Sequence, residues 1–183
     1  MRKAFIGLAG LALVAACSKA PANVASSAES AGASATPASA AATPAAAVSG
    51  PAVSGTFTVD GKAATLIQVT AHKDDPFDGQ PVTALVFTAK DQNGDAKAAT
   101  NALFGNYGDA IVARVEPDGT VIGADVVHSG LKEQGSVSIS GAFTIKAFKS
   151  SGGVISGELT TSGPNDVFDQ KLDVDLTFHT AAP

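Results

Sequence analysis

The feature that most constrains the fold is a strict alternation of apolar and polar residues near the end of the chain, from Lys171 to His179. The apolar positions are Leu172, Val174, Leu176 and Phe178, and the polar ones between them are Asp173, Asp175 and Thr177. A period of two is that of an extended strand with one buried face and one solvated face. Because such a strand must pair with others, this segment predicts an antiparallel sheet.

Seven further segments carry β-branched residues between Gly, Asp and Pro turn signals. With the first they predict strands over 55–60, 63–71, 82–89, 110–116, 120–128, 136–148, 154–161 and 171–179. The alternation of apolar and polar positions in these strands places the side chains of Ile67 and Ala147 on the inward face. The segment 82–89 is apolar on both parities, which predicts a strand covered on both sides. Pro117-Asp118-Gly119 predicts the turn of a hairpin.

One segment has a helical pattern, from Asp95 to Phe104. Asp95 is a candidate N-cap, and Gly105 is placed to end the helix. The Asp-rich stretch from Lys73 to Pro81 predicts a loop. It lies between the predicted strand from Ala63 to Ala71 and the one that begins at Val82. The predicted fold is therefore all-β, an antiparallel β-sandwich or partly closed β-barrel of about eight strands with one short helix.

A glycine recurs in three similar strand segments, as Gly55, Gly141 and Gly157, each after a Ser and two residues before a large apolar residue. A repeated ligand contact is one interpretation. Bends or bulges where the sheet coils are the other, and this second interpretation agrees with the usual role of glycine in strands.

The amino-terminal segment has a different character. Arg2 and Lys3 precede an apolar run, Ala4 to Ala16, that is too short to span a bilayer. Small residues then lead to the only cysteine of the chain, in the sequence Leu13-Val14-Ala15-Ala16-Cys17. A positive start, an apolar run and small residues are typical of a secretory signal peptide.

This segment resembles the signal peptide and lipobox of bacterial lipoproteins. The resemblance implies that residues 1–16 are removed and that Cys17 carries diacylglycerol and an acyl chain. Two or three such chains attach a protein stably to a membrane without a spanning helix. In that family Ser18 at the following position favours the outer membrane, so the expected location is the cell envelope, anchored by lipid, with the domain facing the periplasm.

Residues 17–52 join this anchor to the β domain. From Ser18 to Ala52 the chain has 15 Ala, 7 Ser and 4 Pro among 35 residues. Such a composition cannot bury enough surface to offset its ordering entropy, which predicts a disordered tether. The remaining segment, 53–183, is the β domain, with nine Lys and Arg against sixteen Asp and Glu and a formal charge of −7. This acidic balance disfavours a nucleic-acid partner.

Only one stretch contains a candidate ligand set. His72, Asp74, Asp75 and Asp78 lie within seven residues, and oxygen ligands of this kind could hold a hard cation. Convergence of His128 on the same loop would make a zinc-like site. However, the spacing does not match an EF-hand loop, and Asp, Pro and Gly also form ordinary turns.

No nucleophile elbow, phosphate-binding glycine loop or free cysteine indicates catalysis, so the sequence favours a protein that is not an enzyme and needs no cofactor. The leading hypothesis is a lipid-anchored lipoprotein whose β domain binds an envelope protein or another envelope component. One alternative is a carrier of small apolar ligands in a barrel cavity. The other is a metal-binding domain that uses the His72–Asp78 loop.

Overall fold

A computed structural model of the chain describes residues 53–133 and 135–183. The predicted signal peptide (1–16), Cys17 and the predicted tether (17–52) lie outside the described residues. Within them the chain forms eleven strands and one helix. In chain order these are β1 (Val53–Val59), β2 (Lys62–Ala64), β3 (Gln68–Phe77), β4 (Gln80–Thr88), α1 (Ala98–Leu103), β5 (Ala110–Val115), β6 (Val121–Val127), β7 (Ser136–Ile139), β8 (Thr144–Ser151), β9 (Val154–Thr160), β10 (Asn165–Val167) and β11 (Gln170–Ala181).

The strands form two antiparallel sheets. Sheet I has the order β2-β1-β11-β9-β8, with β10 paired to β11, and sheet II has the order β3-β4-β5-β6-β7. The two sheets form a β-sandwich and do not close into a barrel, which confirms the predicted all-β class and selects the sandwich.

The core lies between the sheets. The four even-numbered apolar residues of β11 are at most 2% exposed, as their alternation predicts. They meet large side chains of both sheets, and the rings of Phe87 and Phe178 pack edge to face with centroids 5.3 Å apart. Because Phe57, Leu85, Ile111 and Leu159 also have no exposed surface, side chains fill the space between the sheets.

The predicted double coverage of 82–89 is confirmed. On its inner face β4 contributes Leu85 and Phe87 to the core between the sheets. On its outer face Ala84 and Val86 pack with Ala98 and Ala102 of α1. The helix thus covers part of the outer face of sheet II.

Two predicted strands are divided where the chain passes from one sheet to the other. Residues 63–71 contain the end of β2 and the start of β3, and Ile67 in the crossing is 54% exposed, whereas Leu66 is buried. Residues 136–148 contain β7 and the start of β8. Ala147 is exposed at a register shift with φ +50°, and Phe148 packs on the core instead. These divisions and the unpredicted β10 raise the strand number from about eight to eleven.

The predicted loop 73–81 is largely a hairpin, because β3 and β4 pair from Gln68↔Thr88 to Phe77↔Gln80. Only Asp78 and Gly79 form its turn, both with positive φ, as in a type I′ turn. The predicted helix is also shorter, and its N-cap residue is Lys97 rather than Asp95. The hairpin predicted around Pro117-Asp118-Gly119 is present as β5 and β6.

The repeated glycines have structural explanations. A Cβ atom on Gly55 would lie 2.0 Å from the carbonyl oxygen of Asp175, and one on Gly157 would lie 2.6 Å from Cγ2 of Ile145. Gly141 has φ +75° in the crossing after β7. Close strand approach and left-handed backbone therefore account for these positions.

Candidate binding site

The residues predicted to bind metal are distributed over both faces of sheet II. His72 and Asp74 are on the outer face of β3, where Nε2 of His72 is 2.8 Å from Oγ1 of Thr70. Oδ2 of Asp74 accepts a 3.1 Å hydrogen bond from Nε of Arg114. Asp75 and Asp78 are exposed at the hairpin end. The carboxylate of Asp74 is thus bound to a cation that the chain itself supplies.

His128 is on the opposite, inner face of the same sheet. It is 4% exposed, and its ring packs edge to face on Phe57 with centroids 4.6 Å apart. Nδ1 accepts a 2.8 Å hydrogen bond from the backbone N–H of Gly130. Burial lowers the pKa of His128, against an opposing effect of Asp109. His72 and His128 are therefore not brought together.

In residues 53–133 and 135–183 no group of three or more His, Cys, Asp or Glu side chains is arranged to hold a metal ion. Within the same residues no helix has the length and apolarity needed to cross a bilayer.

A depression on the surface runs beside β7. Its first part encloses about 500 Å³ between the β10–β11 turn and the segment from Leu131 through β7. A second part of about 350 Å³ continues past Ile139 toward Gly141 and reaches β10. Ser138 and Phe168 line both parts. We call this feature the β7 groove; it separates an edge of sheet II from an edge of sheet I.

Phe168 is the most conspicuous side chain of the β7 groove. It is 70% exposed although it is a large aromatic residue. Phe168 and Asp169 form a two-residue turn between paired Val167 and Gln170, with φ angles of +49° and +57°. A bulky side chain at positive φ is strained, and such strain is concentrated at functional positions.

A buried amide holds the wall of the groove in place. Gln170 is 5% exposed and accepts a 2.8 Å hydrogen bond from the N–H of Lys132. Its Nε2 donates to the carbonyl of Gly130 at 2.9 Å and to Oδ2 of Asp60 at 3.0 Å. One side chain thus joins the β1–β2 turn, the segment after β6 and the β10–β11 turn. Hydrogen bonds from Lys171 and Gln170 lower the pKa of Asp60.

Charged residues stand on the rim of the groove. Lys132 donates its ammonium to the carbonyl oxygen of Asp169 at 3.0 Å. Asp166 pairs with Lys171 at 3.0 Å. The carboxylates of Glu133 and Asp169 form no ion pair with any described residue, so the rim has acidic groups available to a partner.

A polar network supports the strand that forms the groove. Arg114 joins Asp74 of β3 to Asp125 of β6, with Nη1 to Oδ2 of Asp125 at 2.6 Å. The other oxygen of Asp125 accepts a hydrogen bond from the hydroxyl of Ser138 in β7. Side chains on four strands therefore connect the outer face of sheet II up to its edge.

Sequence reasoning did not single out Phe168, Asp169 or Gln170. A two-residue turn at Phe168-Asp169 could have been inferred only from its position between Asn165-Asp166-Val167 and Gln170-Lys171-Leu172. However, Phe is not a residue expected at a tight turn. Burial of Gln170 is equally hidden in the sequence, because Gln is mostly an exposed residue.

The fold and this groove define a small all-β protein with a groove on its surface. Comparison with known proteins adds nothing more specific, since no family model, no curated protein and no solved structure matches the chain.

Proposed function

We propose that this chain is a lipid-anchored protein of the bacterial cell envelope whose β domain binds a protein partner, without catalysis, in the β7 groove. The observation that carries the proposal is the exposure of Phe168 at a strained turn beside a groove of about 500 Å³. Exposed aromatic residues beside polar rims are the usual anchors of protein interfaces.

The anchor is supported by the sequence Leu13-Val14-Ala15-Ala16-Cys17 and its resemblance to a lipobox. Lipid attachment at Cys17, followed by residues 18–52, would hold the domain close to the membrane. Ser18 favours the outer membrane, with the domain in the periplasm. A tethered domain meets envelope partners at a raised effective concentration, so a modest surface is enough for productive binding.

Binding without catalysis agrees with the structural roles of three polar side chains in the groove. Lys132, Asp166 and Gln170 are all engaged with backbone or side-chain partners that shape the turn. Burial of Gln170 and the contacts on three segments favour a rigid scaffold, which suits binding. A carrier function has less support, because side chains of both sheets fill the interior.

Photo-crosslinking in intact cells tests the binding site. The photoreactive residue p-benzoylphenylalanine would replace Phe168, and in a matched control it would replace Phe77, an exposed aromatic residue beside the β3–β4 turn. We expect one saturable protein adduct from position 168, abolished by unlabelled domain in excess, and none from position 77. Equal adducts from the two positions, or no adduct at position 168, would overturn the proposed site.

Membrane fractionation tests the anchor separately. Cys17→Ser removes the only thiol and should leave the protein unprocessed by lipid transfer and absent from outer-membrane fractions. Ser18→Ala, at the neighbouring position, should leave lipid attachment intact. The anchor would be contradicted if the Cys17→Ser protein were bound to membranes at the wild-type level and the wild-type protein carried no added lipid mass.

A further inference from the structure

We propose that the β7 groove binds an extended polypeptide segment that adds to sheet II as a new strand along β7, and that this segment carries basic residues. The proposal rests on the proposed function and names its partner class. It follows from the edge of sheet II, the shape of the groove and the charges on its rim.

β7 is the edge strand of sheet II. Its residues Ser136–Ile139 pair with β6 on one side, and no backbone hydrogen bond of the described residues engages its other side. The unpaired N–H and C=O groups of an edge strand form a ready template for another chain. A segment in the groove would satisfy these groups by strand addition.

The other edge strands are protected against such pairing, and β7 is not. Proteins block their edges with charged residues, proline or bulges. β2 includes Lys62, while β3 has Lys73, Pro76 and a register shift. β8 has Lys146, Lys149 and a register shift, and β10 includes Asp166. β7 has the sequence Ser-Val-Ser-Ile, without charge, proline or register shift. This contrast indicates that its edge is kept available for pairing.

The groove follows this edge along its whole length. Ser136, Val137 and Ser138 line its first part, and Ser138 and Ile139 line its second part. Four residues of strand extend about 13 Å. A backbone laid against them meets donors and acceptors at strand spacing, which only another polypeptide reproduces in register. Small organic ligands do not offer this repeat.

Side chains around the groove suit alternating residues on the added strand. Val137 and Ile139 are partly buried toward the core side, near Leu131 at one end of the groove. Apolar residues of the incoming segment would extend this face, since neighbouring strands align their side chains. Phe168 would cover them from the opposite wall.

Charge indicates which segment fits. Glu133 and Asp169 lie on the rim without ion-pair partners among the described residues, while the ammonium of Lys132 on the same rim donates to the carbonyl oxygen of Asp169. The segment from Ser54 onward carries a formal charge of −7. Lysine or arginine on the polar parity of the added strand would meet these carboxylates. A second copy of the domain is disfavoured, because two acidic surfaces would be brought together.

Nuclear magnetic resonance with peptide probes tests the inference on the domain joined to its tether, as Ser18–Pro183. The first probe is the capped hexapeptide Lys-Val-Lys-Val-Lys-Val. A second has all its backbone nitrogens methylated, which removes the donors needed for strand pairing. A third replaces every Lys by Glu. We expect the first probe to shift β7 resonances and to slow exchange of the β7 amides not bonded to β6, and the other two to bind about tenfold more weakly or not at all.

Substitution in the protein provides a matched pair. Ser136→Lys adds a positive charge to the edge of β7 and should weaken binding of the first probe about tenfold. Ser151→Lys makes the same change in β8, an edge that already carries lysines, and should leave binding unchanged. Both positions are exposed, so neither change disturbs the core.

Three results would overturn strand addition: equal affinity for the methylated probe, equal affinity for the acidic probe, or no binding of the first probe up to about 1 mM. These results are distinguishable from failure of the proposed function. A specific adduct at position 168 without protection of β7 amides would keep the binding site and reject its mode. Protection of β7 amides without any adduct in cells would reject the envelope partner instead.

Discussion

The hydroxyl group of Tyr107 donates a 2.5 Å hydrogen bond to Oδ2 of Asp95, across the turns that flank α1. The same carboxylate accepts hydrogen bonds from the N–H of Lys97 at 2.8 Å and from Nδ2 of Asn101 at 2.6 Å. α1 has six residues and no side-chain cap, so it is too short to be stable alone. Asp95, which precedes α1, thus fixes the helix by binding Asn101 inside it and Tyr107 after it.

We predict that Tyr107→Phe raises the pKa of Asp95. The hydrogen bond from Tyr107 is the largest of the causes that hold this pKa at about 2, below the usual value of 3.8 for an aspartate. Since the folded-state pKa is depressed, Asp95 contributes stability above pH 3.8, and this contribution is lost as the pH falls toward 2. A carboxyl titration followed by nuclear magnetic resonance should show the shift. Asn101→Ala removes a smaller contributor and should move the pKa less; the reverse order would contradict the assignment.

Arg114 is predicted to stabilise sheet II through Asp125. The side chain of Asp125 is only 9% exposed, so Arg114→Ala would leave a largely buried carboxylate without its cation. Breaking a buried pair costs about 3–5 kcal/mol, and the partial exposure of Arg114 reduces the expected loss to about 2 kcal/mol. Denaturant unfolding measures it.

The control for Arg114 is the surface pair between Lys146 and Glu158, which are 3.7 Å apart and more exposed. Lys146→Ala should change the free energy of unfolding by less than about 0.5 kcal/mol. Similar losses for the two variants would show that the network of Arg114 carries no special stability.

His128 is predicted to make folding sensitive to mild acid. Burial lowers the pKa of His128 below the usual histidine value of 6.5, and Nδ1 must be unprotonated to accept the hydrogen bond from the N–H of Gly130. Besides burial, Asp109 and the backbone of Phe57 raise the pKa of His128, and Lys62 lowers it. Stability from His128 is therefore complete above pH 6.5 and declines as the pH falls through and below that value.

The measurement for His128 is the free energy of unfolding as a function of pH, in wild type and His128→Gln. The variant should be less stable at neutral pH, with a flatter profile below pH 6.5. A wild-type slope retained in His128→Gln would assign the acid sensitivity to another group.

Strands with one buried face could be predicted from the sequence, and crossings between sheets could not. β11 was predicted correctly because the alternation of Leu172 to Phe178 records a single face from end to end. At Ile67 and Ala147 the chain changes sheet or register, so the parity of one strand does not carry to the next.

The candidate site depends on long-range contacts. Gln170 meets Gly130 and Asp60 across 40 and 110 residues, and no local pattern encodes such a contact.

Gln170→Ala is predicted to destabilise the fold and to loosen the groove. It removes hydrogen bonds to Asp60, Gly130 and Lys132 in a site where the amide is buried. Unsatisfied buried groups cost about 1–3 kcal/mol, so we expect a loss of about 2 kcal/mol in unfolding by denaturant. Amide exchange at Leu131 and Lys132 should accelerate beyond the global change. Gln68→Ala, which removes a single hydrogen bond to the N–H of Gln92, is the control and should cost less. If Gln170→Ala and Gln68→Ala lowered the free energy of unfolding equally, Gln170 would have no special role in supporting the wall of the β7 groove.

Phe168→Asn is predicted to stabilise the isolated domain and to weaken partner binding. Phe168 has φ +49°, a conformation that costs a bulky residue about 1–3 kcal/mol and that Asn adopts readily. Its ring is 70% exposed, so little buried area is lost, and the free energy of unfolding should rise by about 1 kcal/mol. In the equivalent turn between β3 and β4, Asp78 at φ +50° already suits its backbone. Asp78→Asn should therefore change stability by less than about 0.5 kcal/mol.

Thermal unfolding of the two variants, together with benzophenone crosslinking from Asp169, separates a functional phenylalanine from an incidental one. If the aromatic ring at position 168 serves the partner, Phe168→Asn gains stability while its adduct declines at least about tenfold. If the substitution stabilises the domain and the adduct is unchanged, strain at this turn has no connection with binding. A loss of stability would show instead that the ring contributes contacts to the folded domain that outweigh its backbone strain.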